Sequence, residues 1–351
     1  MPTDSRNPSQ IEAAEQAKGG GSDRSKTNRL YLFAVLAALA VLAEALYFGL
    51  SRPAKVRTVD PVQTPPIVFV RDGDLWTIHA DGSSAKLLYS VIPTTSGTIS
   101  DLCRESSTDP KSARLWYTLR REGEQSLELQ SLDSAGQVLG WETGDAALDD
   151  ISWVPKDLAA RTFSSPVALL GQDGAVSAMN MLTEKPEKKF SVAQTLSGHP
   201  PSALDYPCLR FSPDGTLLLF NVTAGMGFAS YIGDSNGSNA RAFGQADADP
   251  SLDDGIEWFS WAPDSQHFVG LTYAKGGPEH MLEFDRSGGR TRTLYATAEG
   301  THLASADYSP DGKSIVFTVS DESGASSAWT MNSDGSGQHK LCDDAQLATW
   351  R

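Results

Sequence analysis

The 351-residue chain predicts an all-β fold, a six-bladed β-propeller closed by its C-terminal strand and preceded by one transmembrane helix. Three observations carry the propeller. An aromatic residue two positions before a turn proline recurs as Trp153/Pro155, Phe211/Pro213, Trp261/Pro263 and Tyr308/Pro310, at proline intervals of 58, 50 and 47 residues. A glycine turn between third and fourth strands recurs at Asp81-Gly82, Gly136, Gly237, Gly288 and Asp334-Gly335. The chain also ends on Gln346-Leu-Ala-Thr-Trp-Arg351, the start of a further repeat. Periods of about 40–50 residues with four strands each mark propeller blades.

The unit is clearest between Asp205 and Gly244. Ser212-Pro213-Asp214-Gly215 supplies the fixed φ of proline and the positive φ of glycine that a tight turn requires. Asp234-Ser-Asn-Gly237 closes the next hairpin by the same chemistry. A four-stranded sheet of this size buries its faces only against others of its kind.

In chain order, the first unit has strands at Ile67–Val70, Leu75–His79 and Lys86–Tyr89 and no inner strand of its own. The second uses Ile99–Cys103, Arg114–Leu119, Ser126–Leu132 and Val138–Trp141; it lacks the turn proline, and Cys103 takes the aromatic position. The third has Ile151–Trp153, Val167–Leu170, Val176–Met181 and Lys189–Val192. The unit described above is fourth, the fifth runs from Trp258 to Tyr295, and the sixth from Asp307 to Leu341. Leu347 to Trp350 then supplies the inner strand missing from the first unit, and that closure removes free inner edges.

Ahead of the repeats, residues 1–28 are polar with a Gly19-Gly-Gly-Ser22 run, the composition of a disordered tail. Leu30 to Leu50 is an apolar run of 21 residues, about 31 Å long as a helix, which matches a bilayer core. Tyr31 and Tyr47 stand near its ends as interfacial aromatics do. Residues 29–50 are therefore expected to anchor the chain in a membrane. Cleavage after Ala45 in Ala43-Glu-Ala45 is the alternative, against which the long polar leader counts. Basic residues flank the span almost equally. Glu44 is ionisable within it and is a candidate intramembrane contact; Ala34, Ala37 and Ala38 form a small-residue face that could pack on another helix. The proline-rich residues 51–65 read as a stiff linker, and residues 66–351 as the propeller.

Of 29 basic and 44 acidic residues in the whole chain, 8 and 6 precede Pro66, which leaves 21 and 38 in the globular part, a net charge of −17. That balance offers no footprint for nucleic acid or for an anionic membrane surface. The propeller is expected on the extracytoplasmic side, periplasmic or external.

Ile67-Val-Phe-Val-Arg-Asp-Gly-Asp-Leu-Trp-Thr-Ile-His-Ala-Asp-Gly82, Phe211-Ser-Pro-Asp-Gly215 and Tyr308-Ser-Pro-Asp-Gly-Lys-Ser-Ile-Val-Phe317 resemble the TolB-type, WD40-like propeller family across about Pro66 to Arg351. The resemblance implies the fold and, since members of this kind mostly serve as protein-interaction platforms in the cell envelope, an envelope protein as partner. The matching residues build turns and sheet packing, so no activity is carried across. Where TolB has an N-terminal α/β domain, this sequence is expected to have its membrane anchor.

Motifs for chemistry are sparse. Neither a Gly-x-Ser-x-Gly elbow nor a glycine-rich phosphate loop occurs. Cys103, Cys208 and Cys342 share no CxxC spacing and read as small buried thiols; the six histidines are scattered singly, without ligand spacing. No cofactor or metal is expected. The one constellation is acidic: Asp145, Asp149 and Asp150; Asp247, Asp249, Asp253 and Asp254; Asp343 and Asp344 all precede inner strands. In an up-and-down propeller those connections share one face, so they would ring one mouth of the channel and attract a basic protein segment or a cation. A solvated rim that keeps the domain soluble explains them equally well. The expected function is thus a membrane-anchored, non-catalytic scaffold or accessory subunit of an envelope complex. A small-ligand or cation sensor, and then an enzyme with a channel site, are the alternatives. Polar side chains converging in the channel would favour those two, and an apolar plug the scaffold.

Overall fold

The computed structural model describes residues 65–91, 97–104, 114–121, 127–133, 137–142, 148–163, 165–171, 173–180, 185–192, 208–224, 227–244, 255–272 and 277–351. Among them no helix is long and apolar enough to cross a membrane. The expected tail, membrane helix with Glu44, Ala34, Ala37 and Ala38, and linker up to residue 64 lie outside the described residues.

The described chain forms six antiparallel four-stranded sheets. The first holds β1 (Ile67–Arg71), β2 (Asp74–Ile78) and β3 (Lys86–Tyr89); the second β4 (Gly97–Arg104), β5 (Leu115–Arg121), β6 (Leu127–Leu132) and β7 (Val138–Glu142). The third holds β8 (Leu148–Trp153), β9 (Val167–Gly171), β10 (Ala175–Asn180) and β11 (Lys185–Ser191). The fourth is β12 (Leu209–Phe211), β13 (Leu217–Ala224), β14 (Gly227–Asp234) and β15 (Arg241–Phe243). The fifth is β16 (Ile256–Trp261), β17 (His267–Thr272), β18 (His280–Asp285) and β19 (Arg290–Ala296). The sixth is β20 (Thr301–Tyr308), β21 (Ser314–Asp321), β22 (Ser326–Asn332) and β23 (His339–Asp343), after which β24 (Gln346–Trp350) crosses to the first sheet.

There the strand order is β24-β1-β2-β3. The pairing is antiparallel, with Ile67 opposite Trp350 and Val68 opposite Thr349, and the Arg351 amide continues it by donating to the Pro66 carbonyl at 2.8 Å. The last strand thus closes the ring as the surplus repeat predicts. One element was not legible in the repeat. A helical turn at Lys156–Leu158 runs into a π-turn at Ala159–Phe163 between the first two strands of the third blade. It follows Pro155 and buries Leu158 and Phe163, the latter edge-on to Phe211 at 5.4 Å.

The core lies in the seams between blades. Strand side chains alternate sides with period two, so each strand serves both neighbouring seams. Ile67 and Phe69 of β1 pack with Val316, Ala328 and Trp350 against the sixth blade. Val68 and Val70 between them pack with Leu102, Leu115 and Tyr117 of the second. In β13, Leu218, Phe220 and Val222 face the third blade and Leu219 the fifth. Phe243, Phe259, Phe268 and Phe284 fill the seam between the fourth and fifth blades, with Phe268 and Phe284 stacked at 5.2 Å.

Gly335 holds φ 87, and a Cβ there would stand 2.7 Å from the Leu294 carbonyl of the fifth blade. The recurrent glycine of the third-to-fourth strand turn therefore admits the neighbouring blade as well as reversing the chain.

Truncation of Trp350, which is fully buried, to alanine is expected to destabilise the ring by about 3–5 kcal/mol. Deleting Leu347 to Arg351 should lower the melting temperature of the whole propeller in one cooperative transition, as calorimetry would show. Unchanged melting would contradict closure by β24.

Candidate functional site

Five of the six inner strands end at the recurrent aromatic position and β4 runs one residue past it, and the residue just before that position turns towards the central channel. These six residues are Thr349, Leu102, Ser152, Arg210, Ser260 and Asp307, one from each blade in ring order, and all line one cavity of about 380 Å³. The cavity opens among Pro213, Pro263 and Pro310 and the aromatics Trp153, Phe211, Trp261 and Tyr308. These belong to the turns that lead from inner to second strands. Because strands alternate in direction, this mouth lies on the face opposite the connections between blades.

The polar groups of the wall are largely engaged with one another. Asp307 accepts from Ser260 Oγ at 2.9 Å and from Thr349 Oγ1 at 2.6 Å, which joins the fifth, sixth and first blades. Ser260 Oγ in turn accepts the Tyr308 amide, and Ser305 Oγ accepts the Ala348 amide. The Trp261 indole donates to the Arg210 carbonyl and that of Trp350 to the Asp307 carbonyl, the same bond to the equivalent residue of the preceding blade. Trp153 has the equivalent place next to the irregular second blade, and its buried indole N–H makes no hydrogen bond among the described residues.

In the cavity wall Arg210, of the fourth blade, reaches the second, third and fifth. Its Nη1 donates to Asp150 Oδ2 at 2.5 Å and to the carbonyls of Ile151 and Leu209, its Nη2 stands 3.9 Å from Asp101 Oδ1, and its guanidinium lies over the Trp258 ring at 4.6 Å. Both carboxylates also bind the next inner strand. Asp101 accepts the Ile151 amide and Asp150 the Leu209 amide. Burial raises the Asp150 carboxyl well above the usual range; Arg210 opposes that rise and Asp101 adds to it. Burial likewise pushes the Cys103 and Cys208 thiols up, so both stay protonated and unreactive.

Asp150 therefore corrects the expectation of a solvated acidic rim. With 3% of its surface exposed, it is part of the internal ion cluster. Its own strand begins earlier than expected, at Leu148, so Asp150 and Asp149 fall within β8 rather than in a loop. Asp343 and Asp344 are exposed at the connection into β24. There Asp343 pairs with Lys340, and both backbone carbonyls accept from Arg71. Asp145, Asp247, Asp249, Asp253 and Asp254 lie outside the described residues. Among the described residues no group of three or more histidines, cysteines or carboxylates is arranged to hold a metal ion. The Arg210 cluster was missed because its members come from different blades, 48 or more residues apart along the chain; the available signal was a lone arginine inside an inner strand.

The fold and channel define a six-bladed β-propeller whose inner strands are stitched by buried polar bonds. No family model matches the chain. Part of it is 34% identical over 99 residues to the Tol-Pal system protein TolB of Anaeromyxobacter dehalogenans (strain 2CP-C), and 34% over 95 residues to that of strain 2CP-1. Each match covers 26% of this chain and only a fifth of the relative's length. The fold is similar to TolB from Acinetobacter baumannii, with TM-score 0.58 and 15% identity over 88% of this chain and 71% of that one. It is also similar to a putative TolB from Agrobacterium tumefaciens, with TM-score 0.52 and 14% identity over 81% and 90%. The resemblance to TolB-type propellers is thereby shown, by sequence over part of the chain and by fold over most of it.

Replacing Arg210 by methionine, of similar length and uncharged, leaves Asp101 and Asp150 facing each other without a cation. The expected loss is about 3–5 kcal/mol in urea unfolding, the range for breaking a buried ion pair. A loss below about 1 kcal/mol would match a surface pair instead.

Proposed function

We propose that this chain is a membrane-anchored interaction module that presents its propeller outside the cytoplasm and binds an envelope or membrane protein without catalysing a reaction. The supporting observation is the condition of the channel. Its buried Asp101, Asp150 and Arg210 are occupied in joining inner strands, and Asp307 is held by Ser260 and Thr349. The ionisable groups of a potential active centre are thus serving as ties between blades. Similarity to TolB supports the envelope setting. In this reading residues 1–28 form a cytoplasmic tail, 29–50 the membrane helix, 51–65 the linker and 66–351 the interaction domain. The helix, through Glu44 and its alanine face, is one contact. The acidic inter-blade face, with Asp343, Asp344 and the aspartates of the 145–149 and 247–254 stretches, is the other. Two tethered contacts raise the effective concentration of each for the same partner.

The test is purification of the full-length protein from its native membrane in mild detergent, with mass spectrometry of what accompanies it. A stoichiometric membrane or envelope protein supports the reading. Reversing Asp253 and Asp254 to lysine should then weaken the association by about tenfold at low salt and flatten its salt dependence. Association unaffected by the reversal removes the acidic face from the proposal. A second reading, a small-ligand or cation sensor, is favoured by the cavity with Arg210 and Asp307 on its wall. It takes the lead if the protein is recovered alone and a ligand changes its tryptophan fluorescence.

A further inference from the structure

Away from the cavity mouth, a buried carboxylate and an imidazole meet at the start of β20, where the fifth blade abuts the sixth. Glu279, just before β18, is 1% exposed. Its Oε2 accepts the Leu303 amide of β20 at 2.6 Å and its Oε1 meets His302 Nδ1 at 2.8 Å, so one buried carboxylate of the fifth blade grips two consecutive residues of the sixth. Behind it, the Glu279 amide and carbonyl pair with Thr297, which holds the segment in place. Glu257, one residue into β16, lies within electrostatic range of the same carboxylate, and Glu322 in the turn from β21 to β22 within range of His302. One carboxylate thus binds the imidazole and two more act on it through space, and His302 is half exposed, open to protons from solvent.

We propose that Glu257, Glu279 and His302 form a proton-operated clasp on this seam, closed when Glu257 and His302 carry their protons and loosened when they lose them.

Burial pushes Glu257 up to about 8, reinforced by Glu279 and opposed by His302. The hydrogen bond to Glu279 raises His302 above its usual value, with partial burial opposing. Both shifts have the same sign. A group whose pKa is raised on folding stabilises the fold fully below its unfolded value and loses that contribution as pH rises through the folded value. For Glu257 the loss runs from about 4.5 to about 8 and then levels off. For His302 it begins near 6.5 and ends above it. Within the folded molecule, passing about pH 8 places a Glu257 carboxylate against Glu279 while the imidazole is neutral. Two like charges in a mostly buried seam then act against the bond to the Leu303 amide. The inference is independent of the partner proposed above and would stand if none were found.

The test is hydrogen exchange of the Leu303 amide in the full-length protein, as a protection factor corrected for intrinsic rates, between about pH 6 and pH 9. Protection is expected to fall by roughly tenfold or more in the wild type across the ionisation of the clasp. In Glu257→Gln, which mimics the protonated side chain, most of that fall should disappear. Chemical unfolding is a second readout, in which the wild-type unfolding constant should rise relative to Glu257→Gln by up to about tenfold per pH unit between about 4.5 and 8. His302→Gln, at a half-exposed position, should reduce the protection that the wild type gains on acidification from about pH 8 to 6 and leave the part that Glu257 supplies. Equal falls in wild type and Glu257→Gln overturn the proposal, as does a wild type whose Leu303 protection is insensitive to pH. A His302→Gln variant that keeps the whole of the wild-type acid gain removes the imidazole from the clasp and overturns it as stated.

Discussion

A buried guanidinium makes the middle of this ring a single object. Arg210 belongs to the fourth blade, yet its partners are Asp150 of the third and Asp101 of the second, and each of those carboxylates holds the backbone of the next inner strand. A charge so far from water is tolerable only with partners on several sides. The sheets must bring those partners together from positions 60 and more residues distant. Stability and closure are therefore coupled at one point. The ion cluster exists only in the assembled ring, and it joins the inner strands of the second, third and fourth blades.

Around that centre, the same seam chemistry recurs with variations that report on each blade. The fifth and first blades use a tryptophan indole to reach a carbonyl of the blade before. The third has the tryptophan but not the bond, beside a second blade in which a cysteine replaces the aromatic residue. Between the fifth and sixth blades a carboxylate and an imidazole add a grip that titrates. Propellers tolerate such variety because each seam is packed by its own set of side chains from two adjacent sheets, with little shared between distant seams.

This arrangement bears on function through what is left over. Side chains that converge in a channel often bind or act on a ligand. Here most are hydrogen-bonded to each other or to backbone, and the cavity above them is rimmed by aromatic and proline side chains of the turns. A wall built in this way suits contact by shape, and the surfaces that vary most freely are the loops on the two faces, as is general for scaffolds whose sheets are rigid. An interaction module is the reading that requires no group to serve in two roles.

The sequence by itself determined the repeat, the number of blades and the closing strand. Each rests on local chemistry: proline and glycine at turns, short apolar runs such as Ile67 to Val70 between them, and a surplus Leu347 to Trp350 that a closed ring accommodates. The helical turn at Lys156–Leu158 was not legible, because a few residues after Pro155 carry no period and it is Phe163 docking on Phe211 that holds them. Asp150 shows the same limit at the site. Read along the chain it belongs to a run of surface aspartates, whereas the start of β8 at Leu148 turns it inward to Arg210. Only the tertiary structure decided which charges are buried, since pairing in this fold joins residues through the ring rather than along the chain. The energy of a charge depends on that placement and not on its neighbours in sequence.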